Sequence, residues 1–146
     1  MSAAPTQGGL TQALGVIGEI IVSREVGKIA ELLKTTAKEK RTLSFQDLFS
    51  LFPNGTSPKA VYEALESAAR SISPSEVANY SSLMAKKDTG CPGDGFFDTF
   101  KIKRLSEYEA IAGKGTLTLD LAVQQKREIT TAERSRVYEH ASASHA

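Results

Sequence analysis

The segment from Lys86 to Phe97 constrains the fold more than any other part of this chain. It reads Lys-Lys-Asp-Thr-Gly-Cys-Pro-Gly-Asp-Gly-Phe-Phe. Glycine adopts positive-φ conformations that other residues avoid, while proline fixes its own φ and lacks an N–H donor. This composition predicts a tightly shaped loop, and the two phenylalanines after it predict an anchor in the core. The residues that we expect to shape and anchor this glycine loop are Gly90, Pro92, Gly93, Gly95, Phe96 and Phe97.

The composition is typical of one ordinary globular domain. Of the 146 residues, 40% are hydrophobic and 24% are charged, a balance unlike that of disordered proteins. The formal net charge is only +1, whereas nucleic-acid-binding domains are usually more basic. The single cysteine excludes an internal disulfide and any multi-cysteine zinc site. We also expect no cofactor and no designed metal site.

The N-terminal region does not have the pattern of a secretory signal or a membrane span. It lacks a basic segment, and Gly15, Gly18 and Glu19 interrupt its apolar residues. We therefore expect a cytoplasmic protein that contacts no membrane. The apolar residues 10–22 predict a short helix, or alternatively a strand through residues 20–22. This segment either packs on its own domain or pairs with a second copy in a homodimer.

Residues 23–72 carry the pattern of a helix-turn-helix. Apolar spacing predicts a helix from about Ser23 to about Lys40. Ser44 opens a capping-box-like start of a second, short helix. The Pro-Asn-Gly-Thr sequence at residues 53–56 predicts a turn. Ser57 and Pro58 after it are typical of the N-cap and the first position of a third helix.

Strand-like residues flank the glycine loop on both sides. Residues 80–86 and residues 95–103 predict a β-hairpin over residues 80–103, with the loop at its tip. A hairpin directly after a helix-turn-helix is the outline of a winged helix. The expected fold is therefore α+β, mainly helical and winged-helix-like. We expect a disordered N-terminus at residues 1–9, a single domain over residues 10–141 and a frayed tail at residues 142–146.

The C-terminal third predicts two further helices. One covers Ser106 to Ala112 and is stopped by Gly113, and the other starts at a capping box at Thr130 and ends near Ala141. Between them, residues 116–123 alternate apolar and polar residues as a strand does, but they lead into a helical pattern. Strand and helix both stay open for this segment.

Three segments together resemble a known family. They are Leu43 to Leu48, the loop Thr89 to Phe97, and the pair Val137 and Tyr138. The combination is similar to a family of small, largely uncharacterised bacterial and mobile-element proteins, in which a helix-turn-helix-like half precedes a TG-x-PG-x-GF loop. The resemblance covers about Ser23 to Tyr138 and implies no established reaction.

The first half is also similar to the winged-helix DNA-binding domain of the DNA alkyltransferases. That family carries a Pro-Cys-His-Arg nucleophile motif. Here Cys91 precedes Pro92, and neither His nor Arg follows, so the resemblance implies a fold and no alkyl transfer.

The sequence predicts no catalytic residue. The glycine loop lacks both glycine patterns of nucleotide-binding loops. The triplet at residues 88–90 matches that of aspartic proteases, but it lacks the apolar neighbours that let two carboxylates share a proton. Cys91 has no candidate base nearby in sequence, and His140 and His145 have no further ligands around them. We therefore expect a protein that is not an enzyme.

Two binding functions stay open. We expect a protein that binds nucleic acid through the third helix and the lysine-flanked stem of the predicted hairpin. In the alternative, the same residues bind a protein partner. Glu63 and Glu66 would repel phosphates, which favours that alternative, a protein-interaction module such as a phage or plasmid inhibitor or accessory factor. The candidate binding residues are Lys59, Tyr62, Lys86, Lys87, Lys101, Lys103 and Arg104.

Overall fold

The computed structural model of this chain describes residues 24–143. The expected disordered N-terminus, the helix or strand over residues 10–22, the homodimer through it, and residues 144–146 lie outside the described residues. Helix α1 covers residues 24–38 of the described chain and buries Ile29 and Leu33 on one face. The predicted helix in this region is confirmed.

The two helices predicted after α1 are both present. The hydroxyl of Ser44 accepts a hydrogen bond from the N–H of Asp47 at 3.1 Å, and the hydroxyl of Ser57 accepts one from the N–H of Ala60 at 3.2 Å. Both serines are therefore N-caps that fix where the helices start. The elements are strand β1 (Leu43–Ser44), helix α2 (Phe45–Phe49) and helix α3 (Pro58–Ile72).

A small parallel sheet joins two distant parts of the chain. A 3₁₀ helix (Tyr80–Leu83) leads into strand β2 (Met84–Ala85). Strand β2 pairs with β1 in parallel, so that Leu43 lies opposite Met84. The segment just before the glycine loop is therefore fixed against the entry to α2.

The predicted β-hairpin over residues 80–103 is wrong. The residues after the glycine loop form helix α4 (Asp94–Lys103), with Gly93 at its N-cap. Phe96, Phe97 and Phe100 are buried, a spacing that suits one side of a helix, whereas their aromatic composition suggests a strand. Residues 80–103 therefore contain no wing. The described fold is mainly helical with a two-stranded parallel sheet.

The C-terminal third contains helix α5 (Leu105–Ala112), a 3₁₀ helix (Thr118–Asp120) and helix α6 (Val123–Ala143). Gly113 ends α5 with a φ of 93°, as its position in the sequence predicts. The predicted start of the last helix at Thr130 is wrong, because Thr130 is buried inside α6. The side chain of Gln125 instead accepts a hydrogen bond from the N–H of Ala122 at 2.8 Å, next to the start of α6.

Two hydrophobic cores lie along α6. The first core joins α1, the α2–α3 region and the parallel sheet, and α6 adds Val137 and Ala141 to it. The second core joins α4 and α5, and α6 adds Ile129 to it. The helix therefore spans both cores, with Glu133 and Arg134 between its two apolar segments.

Candidate binding cleft

A cleft of about 580 Å³ lies where the two cores meet. Ligand sites in proteins usually range from about 300 to 1,000 Å³ and are mainly apolar, with a few polar groups that orient the ligand. This cleft has both features, and four charged side chains also line it. The apolar lining residues are Phe45, Tyr62, Leu65, Met84, Pro92 and Phe96.

Tyr62 forms a fixed aromatic wall of the cleft. Its ring meets Phe45 edge to face at 6.0 Å between centroids, and Phe49 in the same way at 5.8 Å. Each such pair contributes about 0.5–1.5 kcal/mol beyond the apolar area that it buries. Tyr62 is nevertheless 46% exposed. Its ring is therefore held in place while one side stays accessible to a ligand.

The glycine loop closes on itself before it reaches α4. The N–H of Gly90 donates to the carbonyl of Lys86, and the N–H of Lys86 donates to the carbonyl of Cys91, both at 2.8 Å. Gly90 has a φ of 75°, which a residue with a Cβ adopts only under strain. Cys91 is buried in the second core, so its thiol is a core group. The loop is thus a defined wall of the cleft.

Arg134 fixes the loop from behind. Its guanidinium donates from Nε to the carbonyl of Ser82 at 2.7 Å, and from Nη2 to the carbonyls of Gly90 at 2.8 Å and Met84 at 3.1 Å. Burial lowers the pKa of Arg134 from its ordinary value, but an arginine stays charged at physiological pH. Among residues 24–143 it forms no ion pair with a carboxylate. Sequence reasoning misses Arg134, because nothing local separates it from a surface arginine.

The charged side chains that line the cleft differ in whether an opposite charge of the same chain lies near them. Glu66 pairs with Arg70 at 3.7 Å and lies over the start of α4, where a Cβ on Gly95 would be 3.3 Å from its Oε1. Asp94 lies in the first turn of α4, where the helix dipole favours a negative charge. Lys86 and Lys87 are exposed and form no ion pair within the described part of the chain.

Tyr62, Lys86 and Lys87 are the predicted binding residues that line the cleft. Lys59 lies one helical turn before Tyr62, is 4.0 Å from Glu63 and is exposed. The predicted stem of a projecting hairpin at Lys101, Lys103 and Arg104 is wrong, since these residues end α4 or follow it.

The three basic residues at the end of α4 make intramolecular contacts. Lys101 donates to the carbonyl of Thr116 at 3.2 Å, and Lys103 pairs with Glu76 at 3.4 Å.

Arg104 belongs to a buried charge network between the two cores. Its Nε lies 2.8 Å from Oε1 of Glu133, a carboxylate that is 1% exposed. Glu133 also accepts from the N–H of Asn79 at 2.8 Å and pairs with Arg136, which in turn binds Glu107. Such a buried ion pair fixes the end of α4 against α6, and removing one of its partners strongly destabilises the folded protein.

The described residues contain no group of three metal-ligating side chains suited to an ion. His140 is hydrogen bonded through Nδ1 to the hydroxyl of Tyr80 at 2.7 Å. Across residues 24–143, no helix combines the length and apolar character that crossing a bilayer requires.

The comparisons with known proteins add no relative: no protein-family model, curated protein or solved structure matches this chain. The resemblance to the mobile-element family therefore stays a prediction, and the cleft is interpreted from its own geometry.

Proposed function

We propose that this protein is a non-catalytic protein-interaction module whose cleft receives an apolar side chain of a partner protein. The observation that carries the proposal is the cleft itself, which combines an apolar floor at Leu65 and Met84 with walls fixed by Tyr62 and the glycine loop. Binding energy at protein interfaces concentrates where a large side chain fills such a desolvated pocket.

The distribution of charge supports a protein partner over a nucleic acid. Lys103 and Arg104 are each paired with a carboxylate of the same chain, and Lys59 lies beside Glu63. Nucleic-acid affinity depends on cations that neutralise phosphates, so these intramolecular pairs reduce the charge available to it. The apolar area of the cleft is unaffected by this pairing.

A variant that fills the cleft tests the proposal. Gly93 has a φ of −75° and a ψ of 175°, which any residue adopts, and a Cβ there would be 3.9 Å from Cζ of Phe45. Gly93→Leu therefore places an isobutyl group in the cleft without backbone strain. Gly27→Leu is the matched control, because Gly27 lies on the exposed side of α1 and a Cβ there meets nothing within 4 Å.

The probe is a random peptide library displayed on phage and selected against the immobilised full chain. The proposal expects peptides that share an aromatic or aliphatic anchor, that bind the wild type and Gly27→Leu equally, and that fail to bind Gly93→Leu. Absence of enriched peptides, or enrichment that Gly93→Leu does not change, would overturn the proposal.

Nucleic-acid binding is the second candidate, and one observation favours it. The half-exposed ring of Tyr62 shares the cleft with Lys86 and Lys87, which form no ion pair among residues 24–143. Aromatic rings with adjacent cations are the usual platform for single-stranded nucleic acid. A labelled oligonucleotide, single-stranded or duplex, would then bind in an anisotropy assay with an affinity that falls steeply with salt and is lost in Lys86→Glu/Lys87→Glu. No binding at low salt would contradict this candidate.

A further inference from the structure

We infer that the segment of the partner protein that enters the cleft is acidic, with carboxylates beside its apolar anchor that meet Lys86 and Lys87. This inference rests on the proposed protein-interaction function and deepens it by specifying the chemistry of the partner. It follows from a difference among residues 24–143: Glu66 and Asp94 are stabilised within the chain, whereas Lys86 and Lys87 have no ion-pair partner there.

The two acidic side chains that line the cleft are already stabilised within the chain. Glu66 has Arg70 at 3.7 Å on one side and the first turn of α4 on the other. Asp94 lies in that same first turn, whose exposed N–H groups carry a partial positive charge. Glu66 is thus partly neutralised by Arg70, and Asp94 by the N-terminus of α4.

Within the described part of the chain, the two lysines have no such compensation. Lys86 and Lys87 line the cleft, are exposed, and have no ion-pair partner among residues 24–143. Asp88 follows them in sequence but does not line the cleft. The charge of Arg134 lies behind the same loop. Among residues 24–143 its guanidinium donates hydrogen bonds to the carbonyls of Ser82, Met84 and Gly90 and pairs with no carboxylate.

The backbone of Lys86 is fixed within the glycine loop. The N–H and the carbonyl of Lys86 are both bonded within the loop at 2.8 Å, and Arg134 holds the loop to α6. A cation on a fixed backbone loses less conformational freedom on binding than one on a mobile segment does, and Lys87 is the next residue in the chain. Opposite charges beside an apolar pocket orient the ligand and exclude partners of the wrong sign.

A charge-swap selection tests the inference. The same phage-displayed peptide library is selected against the wild type and against Lys86→Glu/Lys87→Glu. The inference expects Asp and Glu next to the apolar anchor in wild-type peptides, and Lys and Arg next to the same anchor in peptides selected by the double variant. A synthetic acidic peptide from the first set should bind the double variant about tenfold or more weakly, since two attractions become repulsions.

The control for net charge is Lys38→Glu/Lys114→Glu. It changes the charge of the protein by the same amount at two exposed lysines that do not line the cleft. This variant should select the same acidic peptides as the wild type, and the synthetic peptide should bind it with unchanged affinity.

Three outcomes would overturn the inference. Peptides whose anchor is blocked by Gly93→Leu but whose flanking residues show no acidic preference would refute it and leave the proposed function standing. Peptides with no dependence on Gly93→Leu would refute both. The third outcome is that a labelled single-stranded oligonucleotide binds the wild type but not Lys86→Glu/Lys87→Glu, while no selected peptide depends on these charges. This result would show that the anion that meets Lys86 and Lys87 is a phosphate.

Discussion

Arg134 donates a hydrogen bond of 2.8 Å from its guanidinium to the backbone carbonyl of Gly90. This contact ties the middle of helix α6 to the glycine loop that forms one wall of the cleft. The same guanidinium reaches Ser82 and Met84, so a single side chain holds the 3₁₀ helix, strand β2 and the loop together. The shape of the cleft thus depends on a residue that does not line it.

Arg134→Leu should therefore loosen the loop and destabilise the protein. Hydrogen bonds to a charged group are worth about 1.5–3 kcal/mol each, and the freed carbonyls lie in a partly buried place. We expect the free energy of unfolding to fall by about 2–4 kcal/mol in urea denaturation, less than the sum over the three bonds, because Arg134 is only partly buried and water can solvate the freed carbonyls. The amides of Lys86 and Gly90 should also exchange faster with deuterium. Arg127→Leu, at an exposed position of α6, is the control and should show neither effect.

Glu133→Gln should cost about 3 kcal/mol or more of stability. The substitution keeps the shape of the side chain but leaves Arg104 without its buried carboxylate at 2.8 Å. Thermal unfolding of this variant, beside Glu128→Gln at an exposed site of the same helix, measures the difference. Equal melting temperatures would show that the network contributes no net stability.

Gly27→Ala and Gly90→Ala should change stability in opposite directions. A Cβ at either position meets nothing within 4 Å, so the two differ mainly in backbone conformation. Gly27 lies in α1, where alanine stabilises a helix by up to about 1 kcal/mol. Gly90 has a φ of 75°, where alanine costs about 1–2 kcal/mol. Urea midpoints of the two variants check this, and a stabilising Gly90→Ala would show that the loop adopts another conformation.

Stability should fall at alkaline pH. Burial raises the pKa of Tyr80 and, together with Asp98 and Asp120, the pKa of Tyr108, so folding favours the neutral phenols. A tyrosine with a raised folded-state pKa stabilises the protein fully below its unfolded pKa of about 10 and loses that contribution as the pH rises through the folded value.

Melting temperatures measured across this pH range check the effect. Tyr108→Phe removes the ionisable group, so it should flatten the alkaline decline relative to the wild type. It should also lower stability at neutral pH, because Tyr108 donates to the carbonyl of Thr116 at 2.8 Å. An unchanged alkaline decline would contradict the assignment.

Local signals account for the parts of the fold that the sequence predicts. The N-cap serines Ser44 and Ser57 and the C-cap glycine Gly113 act through neighbouring residues, so they mark helix boundaries without tertiary information. The sequence does not predict helix α4, because Phe96 and Phe97 follow a glycine-rich loop and have high strand propensity. The core that they enter is formed with α5 and α6, which local residues do not indicate.

The candidate site was predictable only in part. Lys86, Lys87 and Tyr62 stand out in the sequence as exposed or loop residues, and the cleft brings them together. The sequence does not predict the floor of the cleft, because Leu65 and Met84 meet only after β2 pairs with β1 across a long separation in the chain. Arg134 acts on the loop through tertiary contacts alone, which no local pattern indicates.

The most direct test of the central claim is the affinity of one cleft-selected peptide for three proteins, measured by fluorescence anisotropy. We expect equal binding to the wild type and Gly27→Leu. Binding to Gly93→Leu should be weaker by about tenfold or more, because the leucine occupies the space of the peptide's anchor. Equal affinity for all three proteins would contradict the claim that the cleft is the binding site.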